Sequence, residues 1–217
     1  MYKRQCGARA AHDVSRARAH RAARRADKVA TGSLSGLLRI YHPRQRGYLA
    51  EDLLLEQRLD APIIQLAAGE LLPGHSRLAL AVLHPRKLAV YEVHAGKQNG
   101  AYHTLARAWE SPLARNSFSM VLGRFGGRGS HESVAVQSID GSVSVFEGEA
   151  LSYTRLLANF LIPGPLLYSP RTNSLLTANS LLQVVSFKLS ALALARADAQ
   201  PQAAAGAAAG AAGGKAE

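Results

Sequence analysis

A short pattern that recurs four times restricts the fold of this chain more than any other feature of its sequence. Each copy has turn or polar residues, then alternating apolar side chains, and then an aromatic residue. The copies lie at residues 35–41, 85–91, 140–146 and, more weakly, 179–187, and they end at Tyr41, Tyr91, Phe146 and Phe187. Because a repeated unit of this length buries its apolar face against its neighbours, the pattern predicts a stacked-repeat architecture.

The repeats have the composition of β-strands. Three of them follow another apolar run that ends at a polar turn, at residues 29–32, 80–84 and 135–138. Strand, tight turn and strand form a β-hairpin, and Asp140-Gly141 has the turn chemistry to join the inner two strands of one unit. The four aromatics lie 50, 55 and 41 residues apart. Hairpins at this spacing match the blades of a β-propeller, which are four-stranded sheets of about 40–50 residues.

The predicted fold class is therefore all-β. The apolar runs between residues 28 and 197 are short and bounded by Gly, Pro, Asn or Asp, as is typical of strands. Residues 189–197 fit either a strand or a short helix. Propellers have about four to eight blades, and the four units differ in sequence. We predict a partial, truncated β-propeller of about four blades in an open array; a closed four-bladed ring or an irregular β-sandwich is the alternative.

Three zones of the chain differ in composition. Residues 1–27 form a basic Arg/Ala-rich arm, residues 28–197 have the balance of a folded domain, and residues 198–217 are an Ala/Gly tail. Without large apolar side chains to bury, the tail cannot offset the entropy of ordering. We therefore expect a disordered tail and an arm that is either disordered or helical.

Most of the excess charge of the chain lies in the arm. Residues 1–28 carry nine Lys/Arg and two Asp, which is a net charge of +7 out of +11. We interpret the arm as a solvated extension. Arg clusters also neutralise phosphates, so RNA or acidic-lipid binding is an alternative, and a mitochondrial transit peptide is another. The folded zone is only mildly basic, so we expect no nucleic-acid partner.

Cysteine content and hydropathy argue against several classes of protein. The single cysteine, Cys6, excludes a disulfide framework within the chain and a cysteine-rich zinc site. No apolar run approaches the roughly 18–20 residues of a membrane helix. The N-terminus also lacks the apolar segment that is typical of a secretory signal.

No constellation of residues predicts catalysis. The eight histidines lack the spacing of a metal site. They are His12, His20, His42, His75, His84, His94, His103 and His131. The glycine-rich run 123–129 departs from the phosphate-binding pattern, and we interpret it as an inter-strand loop whose two arginines are free to face an acidic partner. Glu51, Asp52, Glu70 and Glu110 are expected to be separate, solvated carboxylates. We therefore expect no enzyme activity, no metal site and no cofactor.

Two apolar features have alternative roles in packing and in binding. Trp109, the only tryptophan, is expected to pack in the core rather than to anchor a partner. The apolar run 160–167 contains two prolines, which argue against a central strand. We interpret this run as a packed crossover between blades rather than a docking site. The sequence alone identifies no partner-binding residue.

Several segments resemble, in the same order, the family of the parathyroid hormone-responsive B1 protein, which is the ninth Bardet–Biedl syndrome protein. The similarity runs from about Asp27 to Arg196, and its segments are residues 32–41, 50–56, 80–91, 125–127, 136–147 and 160–177. The resemblance implies an N-terminal seven-bladed propeller followed by further regions. This sequence departs from the family's pattern at both ends, where the arm and the tail replace the opening strand region and everything beyond the fourth blade.

The resemblance also implies a function, that of a non-enzymatic scaffold subunit of the BBSome coat. Its expected role is the transport of membrane proteins to the cilium and cilium assembly. The expected partners are the other BBSome subunits and, indirectly, ciliary membrane cargo, with membrane association through the complex. The expected locations are the cytoplasm, the centrosome and basal body, and the ciliary membrane. The alternative is a basic protein that binds nucleic acid or anionic membranes through its arm, and an enzyme is the third hypothesis.

Overall fold

The computed structural model describes residues 28–43, 49–74, 77–95, 103–125, 131–157 and 165–194. The predictions made for the arm, for the tail and for residues 160–164 fall outside this part of the chain. The described residues form fourteen strands in four antiparallel sheets, with one short α-helix and one three-residue 3-10 helix. The all-β prediction is therefore confirmed.

Strands that are consecutive in the chain pair with each other in every sheet. The first sheet contains β1 (Val29–Gly32), β2 (Leu37–Tyr41) and β3 (Leu53–Arg58). The second contains β4 (Gln65–Gly69), β5 (Ala79–His84), β6 (Lys87–His94) and β7 (Thr104–Pro112). The third contains β8 (Ser117–Gly123), β9 (Ser133–Ser138), β10 (Ser142–Glu147) and β11 (Ala150–Leu156). The fourth contains β12 (Leu167–Ser169), β13 (Ser174–Ala178) and β14 (Val184–Lys188).

The four sheets stack side by side as blades. Their first strands pack in chain order, with β1 against β4, β4 against β8 and β8 against β12. The four sequence repeats form β2, β6, β10 and β14, each of which directly follows a hairpin turn. Asp140 and Gly141 lie in the turn between β9 and β10, the inner two strands of the third blade, as predicted.

Alternate side chains of the second and third blades face the two neighbours of each blade, because successive residues of a strand point to opposite faces of the sheet. On β5, Leu80 and Val82 pack towards the first blade, whereas Ala81 and Leu83 pack towards the third. The buried apolar residues consequently form three clusters, one at each junction between blades. Trp109 is 8% exposed in the cluster between the second and third blades, which confirms its predicted core position.

The repeated aromatics share one packing role. Tyr91 lies between the first and second blades, Phe146 between the second and third, and Phe187 between the third and fourth. Each ring therefore faces the blade that precedes its own. Tyr41 has the equivalent position on β2, where Leu38 points to the second blade and Tyr41 to the opposite face.

The last described segment, for which the sequence left strand or helix open, is a helix, α1 (Leu189–Leu194). Leu189 and Leu192 are three residues apart, so they share one face of the helix, and both are buried at the junction of the third and fourth blades. Arg155 on β11 stabilises the end of this helix. Its Nε atom donates a hydrogen bond to the carbonyl oxygen of Leu192 at 2.8 Å, which satisfies a carbonyl that has no partner within the helix.

Candidate interaction surface

Equivalent hairpin turns lie at one end of the blade array. We call this end the turn face. It consists of the turns 33–36, 85–86, 139–141 and 179–183, the connections 59–64 and 113–116, and the strand ends next to them. Loops supported by a rigid sheet scaffold are where binding residues are most often found. The turn face is therefore the candidate interaction surface of this chain.

The connection that leaves each of the first three blades is anchored on that blade's own turn. In each of these blades, the residue that follows the blade's last strand donates its N–H to a carbonyl oxygen of the blade's turn. The pairs are Leu59 to Gly36 at 2.8 Å, Leu113 to Arg86 at 2.8 Å and Leu157 to Gly141 at 3.3 Å. All three leucines are buried, so each connection is fixed by both a hydrogen bond and apolar packing.

The first two connections are also hydrogen-bonded to the next blade. The N–H of Ile64 donates to the carbonyl oxygen of Leu83 at the end of β5, at 2.8 Å. The N–H of Ile139, in the turn of the third blade, donates to the carbonyl oxygen of Asn116 at 2.8 Å. Backbone hydrogen bonds therefore tie the turns of the first three blades into one continuous surface.

A polar residue enters each turn and fixes its shape. These residues are Ser33, His84, Ser138 and Asn179. The Oγ atom of Ser33 accepts the N–H of Leu37 at 3.0 Å, and Oδ1 of Asn179 accepts the N–H of Gln183 at 3.0 Å. His84 is fully buried, and its Nδ1 donates to the carbonyl oxygen of Pro62 at 2.8 Å, so it has the structural role expected from the sequence.

Large apolar side chains project from the turn face. Leu34 and Ile139 are 76% and 54% exposed. Each of them directly follows the polar residue at the start of its turn. Ile64 in the first connection is 36% exposed. Phe118 is 41% exposed because it is the extra residue of a β-bulge: the pairing of β8 with β9 passes from Ser117 directly to Ser119. Single exposed apolar residues are ordinary, but here Leu34 and Ile139 occupy equivalent positions in the turns of the first and third blades.

The charged side chains at this end leave an excess of positive charge. The acids are all paired: Lys87 Nζ lies 2.6 Å from Asp60 and 3.4 Å from Glu110, and Arg115 Nε lies 3.4 Å from Asp140. The hydrogen bond from Lys87 holds the pKa of Asp60 below its usual value. By contrast, the exposed side chains of Arg58 and Arg86 form no hydrogen bond or ion pair with the described residues.

The prediction of separate, solvated carboxylates is wrong at Asp52. Asp52 is 2% exposed, because its Oδ2 accepts the N–H of Leu49 and caps the 3-10 helix Ala50–Asp52 instead of facing water. Glu110 is paired as described above. Glu70 accepts a hydrogen bond from Arg124 at 2.9 Å. Arg124 belongs to the glycine-rich run 123–129, so one of its two arginines is already directed at an acid of the same chain.

Among the described residues, no group of three or more His, Cys, Asp or Glu side chains is arranged to hold a metal ion. His42 lies directly after β2, and its N–H donates to the carbonyl oxygen of Asp52 at 2.7 Å. Within the part of the chain that the structure describes, no helix has the length and hydropathy of a membrane span.

Comparison with known proteins identifies the family. The sequence model described as PTHB1 N-terminal matches residues 4–215. The chain belongs to the PTHB1 N-terminal family. Protein PTHB1 of Xenopus laevis is 43% identical to it over 176 residues, which make up 78% of this chain and 21% of that relative. This PTHB1 N-terminal chain therefore spans about a fifth of the relative's length, and the resemblance noted in the sequence is confirmed.

Two solved propellers share the fold of this PTHB1 N-terminal chain. BBS1N, solved in complex with ARL6DN, matches with a TM-score of 0.53 at 15% identity, over 75% of this chain and 46% of the other. Sqt1 of Saccharomyces cerevisiae matches with a TM-score of 0.56 at 13% identity, over 76% of this chain and 45% of the other. The four blades thus correspond to less than half of each solved chain, which confirms a partial β-propeller.

Proposed function

We propose that this PTHB1 N-terminal chain is part of a non-enzymatic scaffold of the BBSome coat, which carries membrane proteins to the cilium and supports cilium assembly. The observation that carries the proposal is the family match over residues 4–215, together with 43% identity to Protein PTHB1 of Xenopus laevis. The family resemblance supplies the link to the coat. Membership of this family supports the proposal of a protein that binds rather than catalyses.

The geometry supports a scaffold role. Blades that pack through their apolar faces present loops in fixed positions, so a partner binds without ordering them first. The turn face offers such loops, with apolar side chains that project outwards and two arginines that have no side-chain partner among the described residues. The propeller neighbour BBS1N was itself solved with a protein partner, ARL6DN.

The proposed partners are other BBSome subunits, with membrane cargo reached indirectly through the complex. The proposed locations are the cytoplasm, the centrosome and basal body, and the ciliary membrane. Both proposals rest on the family, because the chain spans only 21% of its relative.

Affinity purification from ciliated cells tests the proposal. A tagged full-length relative, Protein PTHB1 of Xenopus laevis, is expected to co-purify with BBSome subunits, as measured by quantitative mass spectrometry against an untagged control. The tagged 217-residue chain is expected to recover less of the same set. Absence of every BBSome subunit from the full-length purification would contradict the proposal.

A second measurement addresses the basic arm. If the arm determines function, the purified chain binds RNA or anionic vesicles with a steep salt dependence, and deletion of residues 1–27 abolishes that binding. We expect the coat subunits to remain bound when these residues are deleted. If the deletion removes the coat subunits as well as RNA or lipid binding, the arm-based alternative is favoured.

A further inference from the structure

We propose that the turn face of the first three blades is a docking surface for an acidic, amphipathic peptide segment of a partner protein. This inference rests on the proposed scaffold function, and it assigns a surface and a partner chemistry to it. Its basis is the placement of exposed apolar residues around one unpaired arginine on a rigid backbone.

The apolar residues form two pairs on either side of the second blade's turn. Leu34 and Ile64 lie at the junction of the first and second blades, and Phe118 and Ile139 at the junction of the second and third. Arg86 occupies the turn between these two pairs. An extended or helical segment that crosses the three blades would therefore meet apolar, basic and apolar surface in that order.

Hydrogen bonds hold the two apolar pairs in place. The N–H of Ile63 donates to the carbonyl oxygen of Ser33 at 3.1 Å, which fixes the loop that carries Ile64 beside the turn that carries Leu34. The N–H of Ser117 donates to the carbonyl oxygen of Pro85 at 2.8 Å, next to Phe118. Binding to a preorganised surface loses little loop entropy, so few contacts suffice for a measurable affinity.

Charge complementarity selects an acidic partner. Asp60, Glu110 and Asp140 are already paired with basic side chains of the same chain, whereas Arg58 and Arg86 have no side-chain partner among the described residues. A guanidinium group binds a carboxylate through two parallel hydrogen bonds. The acidic side chains of a docked segment would supply the charge that the turn face lacks.

A protein segment fits this surface better than an anionic membrane does. Attraction to acidic lipids grows with each additional unpaired basic residue near the bilayer. On this surface two arginines lack a side-chain partner among the described residues, and Asp60 is exposed beside them, with its side chain 66% accessible. The carboxylate of Asp60 would face the phosphate headgroups of a bound bilayer.

Selection of peptides on the purified chain tests the inference. A displayed library of random 12-residue peptides is expected to yield sequences rich in both Asp or Glu and large apolar residues. Binding of the most enriched synthetic peptide is then measured by fluorescence anisotropy. Because Arg86 lies at the centre of the surface and Phe118 and Ile139 flank it, we expect Arg86→Glu to weaken binding by about tenfold or more, and Ile139→Ser and Phe118→Ser by about fivefold each.

Two matched variants at the opposite end of the blades serve as controls. Arg171→Glu changes an exposed arginine in the turn between β12 and β13, and Leu78→Ser changes a leucine that is 69% exposed just before β5. Both are expected to bind the selected peptide like the unchanged chain. Circular-dichroism melting of every variant shows whether a loss of binding reflects unfolding.

Three results would overturn the inference: no enriched peptide, enriched peptides without acidic residues, or binding that Arg86→Glu and Arg171→Glu weaken equally. Sedimentation with phosphatidylserine vesicles tests the other source of anionic charge, which is an acidic membrane. Vesicle binding that Arg86→Glu abolishes, without any enriched peptide, would assign the surface to a membrane instead. Coat subunits that still co-purify with the full-length protein in any of these cases would leave the scaffold function intact.

Discussion

Gly36 shows how a single residue sets the geometry of the turn face. Its φ angle is +83°, in the left-handed region that favours glycine. A Cβ atom at this position would lie 2.7 Å from the carbonyl oxygen of Leu59. The carbonyl of Gly36 also accepts the N–H of Leu59, so the first connection returns to the turn at the point where a side chain would block it.

Replacement of Gly36 by alanine is therefore expected to lower the free energy of unfolding by more than about 2 kcal/mol, since the left-handed conformation costs alanine about 1–2 kcal/mol and the steric overlap adds to it. Gly74→Ala is the matched control, because Gly74 has a φ of +77° and open space where its Cβ would lie. Urea unfolding measures both variants. Equal losses would show that the contact with Leu59 is unimportant.

Because of His103, the free energy of unfolding is expected to depend on pH. Burial, and then the positive charges of Lys28 and His42, lower the pKa of His103 from its ordinary value of 6.5. Lys28 Nζ lies 3.3 Å from Nε2 of His103. The unfolded chain consequently takes up a proton at this residue at a higher pH than the folded chain does. The free energy of unfolding should therefore fall as the pH drops through 6.5.

Urea unfolding at about pH 7.5 and about pH 5.5 tests this linkage, because that range spans the ordinary histidine pKa. His103→Gln is expected to reduce the loss of stability between the two pH values. The same change at His94, a half-exposed residue at the end of β6, should leave most of the loss in place. A larger loss in the His103 variant than in the unchanged chain would reverse the sign and contradict the account.

Residues differed in how well the sequence predicted their roles. Trp109 was placed in the core correctly, because a large ring on an apolar strand has few other stable positions. Asp52 was expected on the surface but is buried, because its carboxylate caps a short helix that has no periodic signal in the sequence. Phe118 projects because of a bulge, and a bulge depends on the register with the neighbouring strand.

At the scale of elements, the side chain of Gln65 joins two blades through a pair of hydrogen bonds like the pair that a neighbouring strand would form. Its Nε2 donates to the carbonyl oxygen of Met120 at 2.9 Å, and its Oε1 accepts the N–H of Met120 at 2.8 Å. The side-chain amide thus forms a pair of hydrogen bonds between β4 and β8, the first strands of the second and third blades. This link limits how far the two blades can separate.

Gln65→Leu is expected to lower the free energy of unfolding by about 1–3 kcal/mol, since the backbone groups of Met120 lose their partners. Gln57→Leu is the control, because Gln57 is exposed on β3 and its side chain forms no hydrogen bond with the described residues. Thermal and urea unfolding compare the two variants. Equal stability would mean that the amide link contributes nothing to the junction.

The hairpins were predicted better than the other strands. β5, β6, β9 and β10 combine apolar alternation with turn residues, and the structure has all of them. β4 contains only Gln, Leu, Ala and Gly, so it lacks the β-branched residues that indicate a strand. The buried leucines after the last strands were missed because Leu59, Leu113 and Leu157 are unevenly spaced and each has a different sequence around it.

At the scale of the whole molecule, the three junction clusters make the blades depend on one another. The second blade contributes Leu80 and Val82 to the first cluster and Leu83 and Val90 to the second, from the same two strands. Loss of one cluster therefore exposes a face of a blade that also supports the next cluster. We infer that the blades unfold together.

Leu38→Ala tests this coupling, because Leu38 is fully buried at the first junction whereas Trp109 reports on the second. The substitution is expected to cost about 2–5 kcal/mol. Urea transitions followed by tryptophan fluorescence and by circular dichroism should shift together in the variant. A tryptophan transition that does not move would show that the junctions are independent.

The sequence repeat was sufficient to predict the architecture, but not the turn face. Stacked hairpins followed from the spacing of Tyr41, Tyr91, Phe146 and Phe187. The turn face depends on hydrogen bonds between connections and turns of neighbouring blades, and on ion pairs between residues far apart in sequence, such as Lys87 and Asp60. No local pattern encodes these contacts.

The most direct test of the account is to measure aromatic-to-methyl nuclear Overhauser effects in the isotopically labelled chain. Successive blades require the Tyr91 ring to lie near the methyl groups of Leu38 or Ile40, the Phe146 ring near those of Leu88 or Val90, and the Phe187 ring near those of Val143 or Val145. We expect each ring to show effects to the preceding blade. Effects that connect the Tyr91 ring with the Phe187 ring, as in one continuous sheet, would contradict the propeller and the surface built on it.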